Sequence, residues 1–216
     1  MYLPTAFAED RLEVKHGLIR AYPLGMLIIQ GAEPTADLVP FSLHPDEGEA
    51  GLGVLRAHLA RGNPAWRALA AGDAACLVVF QGPESYVSPS WYPSKEISHK
   101  VVPTWNYAMV QVRGKARVIE DAAWLQRQLR GMTAHHEAGL SRSWEVDDAP
   151  VEFIDGLLRA IVGIEIPIDS IAGKWKVSQN RSDADMAGVA AGLRKEGGGA
   201  GAGPMAGLVA ERIKPG

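Results

Sequence analysis

The sequence predicts an α+β fold built on an antiparallel β-barrel with peripheral helices. Three observations carry the prediction. Strand-like runs crowd the first half of the chain and are separated by turn residues. The regular strand–helix–strand alternation of a doubly wound parallel sheet does not occur. Helical patterns are confined to the start, one short insertion and a block of two before a final strand.

Residues Glu9 to Ala21 place Leu12, Leu18 and Ile19 among charges at loosely helical spacing, a short surface helix ending before Pro23. Leu24 to Gln30 and Asp37 to Leu43 read as strands. Pro45-Asp46-Glu47-Gly48 turns into a third run, Gly51 to Leu59, with Leu52, Val54 and His58 on one face and Leu55, Ala57 and Leu59 on the other. Asn63-Pro64 starts a helix, with Asn as N-cap and Pro where a missing N–H costs nothing, and Gly72 stops it. Ala74 to Phe80 is a buried strand, and Tyr107 to Ile119 is a strand pair broken at Gly114-Lys115. Asp121 caps a helix carrying Trp124, Leu125, Leu129 and Met132. Phe153, Ile154, Leu157, Leu158 and Ile161 form an amphipathic stripe ending at Gly163, and Ile164 to Ile168 is the last strand. From residue 195 the Gly-Gly-Gly-Ala-Gly-Ala-Gly composition predicts a flexible tail, so the domain spans 1–194 and the tail 195–216.

The 216 residues carry a net charge of −3, with 47% hydrophobic and 22% charged residues, a balance ordinary for a globular protein. Proteins that bind nucleic acid unaided show a basic patch or stripe. The longest basic concentration here is Lys174, Lys176 and Arg181, so DNA binding is expected to be weak or indirect. The single cysteine, Cys76, lies in Ala74-Ala75-Cys76-Leu77-Val78-Val79-Phe80 and reads as a small core hydrophobe. No run reaches the roughly 18 apolar residues of a membrane span, and residues 1–10 lack the basic-then-apolar pattern of a leader. A cytoplasmic location is expected. His135-His136-Glu137 is set aside as a metal site, because adjacent helical residues point about 100° apart.

Three polar clusters are candidates for chemistry. In Arg56-Ala57-His58-Leu59-Ala60-Arg61-Gly62-Asn63-Pro64 a strand delivers His58, Arg61 and Asn63 to a helix start, where free N–H groups and a guanidinium suit an anion. A capped helix with exposed charges is the alternative. Gly82 to Lys95 and then Lys100 to Tyr107 read as a loop dense in aromatics, hydroxyls and lysines, with Ser88, Trp91, Tyr92, Lys95, Lys100, Thr104, Trp105 and Asn106. Aromatic faces stack on planar ligands while hydroxyl and amide groups fix orientation; filling the barrel end and a subunit contact is the alternative. In the third cluster Lys174 and Lys176 share one strand face, followed by Ser178, Gln179, Asn180 and Arg181. Its alternative is a solvated turn.

Five motifs, in one order, resemble the PaiB family of FMN-binding negative transcriptional regulators. They are Met1-Tyr2-Leu3-Pro4, His58-Leu59-Ala60-Arg61-Gly62-Asn63-Pro64, Tyr86-Val87-Ser88-Pro89-Ser90-Trp91-Tyr92, Val102-Pro103-Thr104-Trp105-Asn106-Tyr107, and Gly173-Lys174 with Ser178-Gln179-Asn180-Arg181. The resemblance runs from Met1 to about Leu193. Gly62 stands where the family usually has alanine or a similar residue, a change that loosens the backbone but removes no functional group.

The resemblance implies a flavin split β-barrel related to the pyridoxamine-phosphate oxidase fold, a homodimer, and FMN bound where two subunits meet. With FMN as the ligand, the Arg61-Gly62-Asn63-Pro64 step puts a guanidinium beside a helix start, so Arg61, with His58 and Asn63 and one of Lys95, Lys100 or Lys174, is expected at the FMN phosphate. Trp91, Tyr92 or Trp105 are expected over the ring, and Asn106, Gln179 or backbone N–H groups at its polar edge. Ser88, Thr104, Ser178, Asn180 and Arg181 complete the expected cofactor-binding set. The implied function is repression of transcription, direct or through a partner. No general base stands out beside the ring, so enzymatic activity is left open. A flavin-dependent reductase or oxidase of a small substrate is the alternative. A haem-binding relative, with His58 or His99 as axial ligand, is the third reading.

Overall fold

Strand β1 (Ala8–Glu9) leads into helix α1 (Leu12–Ala21), which stops short of Pro23 because a proline disfavours helical geometry in the residue before it. The structure is a computed structural model and describes residues 1–30, 33–71 and 75–214. Strand β2 (Leu24–Ile29) pairs antiparallel with β3 (Thr35–Pro40), and β4 (Ser42–His44) pairs with β5 (Val54–Ala60). The single run expected over Asp37 to Leu43 is thus two strands, parted at Phe41 because each answers to a different neighbour. Helix α2 (Ala65–Ala70) starts where expected; the expected stop at Gly72 and strand start at Ala74 lie outside the described residues.

Strand β6 (Ala75–Val87) absorbs Gly82 to Val87, which the sequence reading assigned to a loop. Sheet pairing overrides the local breaker signal of Gly82-Pro83; burial alternates on either side of it and shifts phase there, with both residues buried. Helix α3 (Lys95–Ser98), strand β7 (Thr104–Lys115) and strand β8 (Arg117–Ile119) follow. Helix α4 (Ala122–Glu137) is capped by Asp121, whose carboxylate accepts from the Trp124 N–H at 2.7 Å. Helix α5 (Val151–Arg159) ends earlier than its apolar stripe, because Ile161 to Gly163 belong to β9 (Ile161–Pro167), which pairs with β5 along its whole length. Strand β10 (Ser170–Lys176) and helices α6 (Asp183–Glu196) and α7 (Ala202–Ala210) lie beyond the strand expected to be last.

The chain divides into two units. The first comprises Met1–Ala21, Gln81–Gln111 and Ala172–Gly216. In it β1 pairs with β10, Ala8 opposite Lys174, and the sheet order continues through β7 to β6. Helices α6 and α7 pack together, with Val189, Leu193, Met205 and Val209 all buried. Gly192 brings α6 against Trp91; a Cβ there would stand inside the indole ring. The segment read by composition as a tail therefore contains a packed helix, because Met205 and Val209 lie one helical turn apart among the glycines.

The second unit comprises Tyr22–Phe80 and Val112–Ile171. Here β4, β5, β9 and β8 lie side by side in that order, all antiparallel, with Arg56 opposite Glu165 and His58 opposite Gly163. Strand β2 lies between β3 and the start of β6. Leu27, Leu55, Val78, Phe80, Ile164 and Ile166 are buried, each such side chain contributing about 1.5–3 kcal/mol. Cys76 belongs to this buried set; its thiol donates to the Gly114 carbonyl at 3.2 Å, and burial pushes its pKa up to about 11.

Candidate functional site

The sixteen expected site residues fall into both units, and the second unit holds His58, Arg61 and Asn63. His58 projects from β5, where its Nδ1 hydrogen-bonds to Gln128 Oε1 at 3.2 Å and burial lowers its pKa. The Arg61 guanidinium pairs with Glu120 and donates to the carbonyls of Arg159 at 3.1 Å and Ile161 at 3.3 Å. Asn63 Oδ1 accepts from the Ala65 N–H at 2.9 Å, the expected cap, and its amide donates to Asp37 at 3.2 Å. Each side chain has its partners within the chain.

The first unit gathers a different cluster. Lys174 and Lys176 project from one face of β10, two residues apart. Lys174 Nζ donates to the Tyr2 carbonyl at 3.1 Å and lies 5.6 Å and 5.4 Å from the ring centroids of Tyr2 and Tyr107. Lys176 Nζ donates to Thr104 Oγ1 and to the Trp105 carbonyl, each at 2.5 Å. Its pKa is lowered by burial and by the positive charges of Lys174 and Arg181. The Arg181 guanidinium lies 4.8 Å from the ring centroid of Tyr92, which is 2% exposed and whose pKa burial raises. Among the described residues, no ion pair involves Lys174, Lys176 or Arg181.

The turn after β10 holds this cluster in place. Gln179 is spent on it: Oε1 accepts from the Val177 N–H at 2.7 Å, and the side-chain amide donates to the Trp175 carbonyl. Ser178 adopts a left-handed backbone, φ +65°, a conformation that non-glycine residues hold only when the surroundings enforce it. Its hydroxyl accepts from the Asn106 amide at 2.9 Å, and Asn106, 1% exposed, keeps an Oδ1 with no partner.

Thr104, Trp105, Asn106, Lys174, Ser178, Arg181 and Tyr92 are thus brought together. Ser88 instead caps the turn at Pro89–Trp91, accepting from the Ser90 N–H at 3.2 Å, and the Trp91 indole donates to Glu196 at 3.2 Å. Lys95 opens α3, and Lys100 and Asn180 are exposed. Sequence reasoning left Lys176 out of the site; its signal was the two-residue spacing from Lys174.

Comparison with known proteins shows the family. A family model described as "Putative FMN-binding domain" matches residues 1–170. An uncharacterized protein of Emericella nidulans is 36% identical over an alignment of 245 residues, covering 98% of this chain and 97% of that protein. The protease synthase and sporulation protein PAI 2 of Bacillus subtilis is 30% identical over 197 residues, covering 91% of this chain and 90% of that protein. The chain belongs to the PaiB family of FMN-binding proteins.

Solved structures with a similar fold include the flavocytochrome Anf3 of Azotobacter vinelandii, with TM-score 0.55 and 16% identity over 78% of this chain and 69% of that one. The FAD and heme binding protein of Mycobacterium smegmatis has TM-score 0.54 and 19% identity over 78% and 73%. The fold is the α+β split β-barrel of flavin proteins. FMN, the PaiB-family cofactor, carries a phosphate dianion and a flat ring with polar edges. The first unit fits both: an unbalanced group of three cations suits the phosphate, and the unpaired Asn106 Oδ1 suits a ring N–H. When bound, FMN supplies redox chemistry.

Proposed function

We propose that the protein is a homodimeric, PaiB-type negative regulator of transcription, with Lys174, Lys176 and Arg181 holding the FMN phosphate. The observation that carries the site is the group of three cations that, among the described residues, form no ion pair with a carboxylate. Burying like charges together is costly, and a phosphate dianion removes that cost through charge-assisted hydrogen bonds. Thr104 positions Lys176, while Ser178 and Gln179 fix the turn from which Arg181 projects. Asn106 stands on the strand that carries Thr104, on the same face, and is assigned to the ring; Trp105 lies on the opposite face.

What supports the regulatory role is the relation to the Bacillus subtilis sporulation protein across nine-tenths of both chains. With net charge −3, repression acts through a partner protein or through weak DNA contact. What supports the dimer is an apolar strip on β2 and β3: Leu24, Met26 and Leu38 are exposed on one face, with Met26 directly opposite Leu38. Light scattering is expected to report twice the mass of one chain.

Transcript profiling tests the regulatory role. Loss of the gene and the Lys176→Ala Arg181→Ala variant are expected to derepress the same transcripts. Unchanged transcripts, together with FMN-dependent oxidation of NADPH by the purified protein, select the oxidoreductase reading. A Soret band in place of flavin absorbance selects haem.

A further inference from the structure

The first unit contains a second concave feature, whose chemistry is opposite to that of the cation group. Glu84 and Tyr86 of β6, Trp105 of β7, Trp91, and Glu196 at the end of α6 line a cleft of about 530 Å³, within the size range of small-molecule sites. Tyr86 and Trp105 meet edge to face, centroids 6.1 Å apart, and each is about half exposed, at 46% and 50%. Large aromatics left open to solvent beside one another mark binding surfaces more often than packing.

Both carboxylates of the cleft are tied to its aromatics. The Trp105 indole N–H donates to Glu84, and the Trp91 indole N–H donates to Glu196 at 3.2 Å. Each indole is thereby oriented, and each carboxylate keeps its charge at the aromatic rim. Among the described residues no lysine or arginine lines the cleft; Lys195 pairs with Glu196 at 3.7 Å from outside the lining and is 82% exposed, where such a pair contributes little. Ser85, Ser88, Ser90 and residues 198–201 complete the lining, and the approach of the last four depends on Gly201, where a Cβ would collide with the Glu84 carbonyl. The glycine-rich segment is therefore part of the wall.

We propose that this cleft binds a small organic cation, an amine or quaternary ammonium group. Aromatic faces carry negative charge density and attract such a group, and the two carboxylates add to the attraction. An anion meets two negative charges here, and a neutral apolar ligand of the same shape strips water from both carboxylates without replacing it. The assignment is independent of where the FMN phosphate sits.

Calorimetric titration of the FMN-loaded protein tests the proposal, with choline and its uncharged isostere, in which carbon replaces the ammonium nitrogen. Choline is expected to bind one site per chain, and the isostere about tenfold more weakly or worse. The Glu84→Gln Glu196→Gln variant keeps the side-chain size and removes both charges; it is expected to weaken choline by at least about tenfold, with bound flavin unchanged. The proposal is overturned if choline gives no binding heat, if the isostere binds as tightly, or if the double variant, folded by circular dichroism, binds choline as the parent does.

Discussion

The Arg61 guanidinium is paired with the Glu120 carboxylate. Two further donors go to the carbonyls of Arg159 and Ile161, so it links the end of β5 to the junction of α5 and β9. A guanidinium with three partners inside its own chain serves that connection, and we propose that it fixes this loop rather than a phosphate. Arg61→Ala is expected to cost about 1–2 kcal/mol of stability, from two carbonyl hydrogen bonds and an exposed ion pair. FMN and riboflavin are expected to change affinity together. Melting curves with paired ligand titrations check this; a selective loss of FMN moves the phosphate to Arg61.

Lys176 gives the opposite expectation. Lys176→Ala is expected to weaken FMN about tenfold to a hundredfold, the loss of one charge-assisted hydrogen bond, and to leave riboflavin, which lacks the phosphate, nearly unchanged. Burial and the neighbouring cations lower the Lys176 pKa in the free protein, so its ammonium is lost at a lower pH than that of an ordinary lysine. A bound phosphate favours the protonated form. FMN affinity of the parent is therefore expected to fall as pH rises through the lowered pKa, with proton uptake on binding. Titrations in two buffers of different ionisation heat measure that uptake; a flat profile places the phosphate elsewhere.

Glu9 links the two ends of the chain. It is 4% exposed, accepts from Arg11 at 2.8 Å and 2.7 Å and from Arg212 at 2.8 Å, and its pKa is lowered from 4.5 to about 2. A depressed carboxylate stabilises the fold above its unfolded-state pKa, and that stability is lost as pH falls through the folded-state value. Unfolding free energy is therefore expected to drop between pH 4.5 and about 2, Glu9 contributing up to about 3 kcal/mol. Denaturant titrations of Glu9→Gln across this window are expected to show a shallower acid slope. A slope equal to the parent's assigns acid sensitivity to other carboxylates.

Helix α7 carries a similar expectation. Met205, Ala206 and Val209 are fully buried, so Met205→Ala is expected to destabilise by about 2–5 kcal/mol. Removal of residues 197–216 also takes away Arg212, one of the partners of Glu9. A melting temperature several degrees lower is expected for both variants. An unchanged one shows that the helix does not hold the fold.

Sequence by itself determined the local punctuation and the composition of the site. Pro23 ended α1, Asn63 and Asp121 capped α2 and α4, and the apolar alternation of Leu55, Ala57 and Leu59 set the buried face of β5. These features depend on neighbours a few residues away, so they are legible without a fold. The five motifs likewise named the family and its cofactor. What tertiary structure decided was partnership. Whether Gly82-Pro83 breaks a strand, whether Ile161 to Gly163 extend a helix or join β5, and whether a glycine-rich end packs or hangs free depend on residues far away in sequence. The same holds for the cations. In sequence Arg61, Lys174 and Lys176 are equivalent positive charges; in the fold Arg61 meets Glu120, while Lys176 meets, among the described residues, a hydroxyl and a carbonyl oxygen beside two further cations. A charge is available to a ligand only when the fold supplies no countercharge, and that balance is set by contacts across the fold.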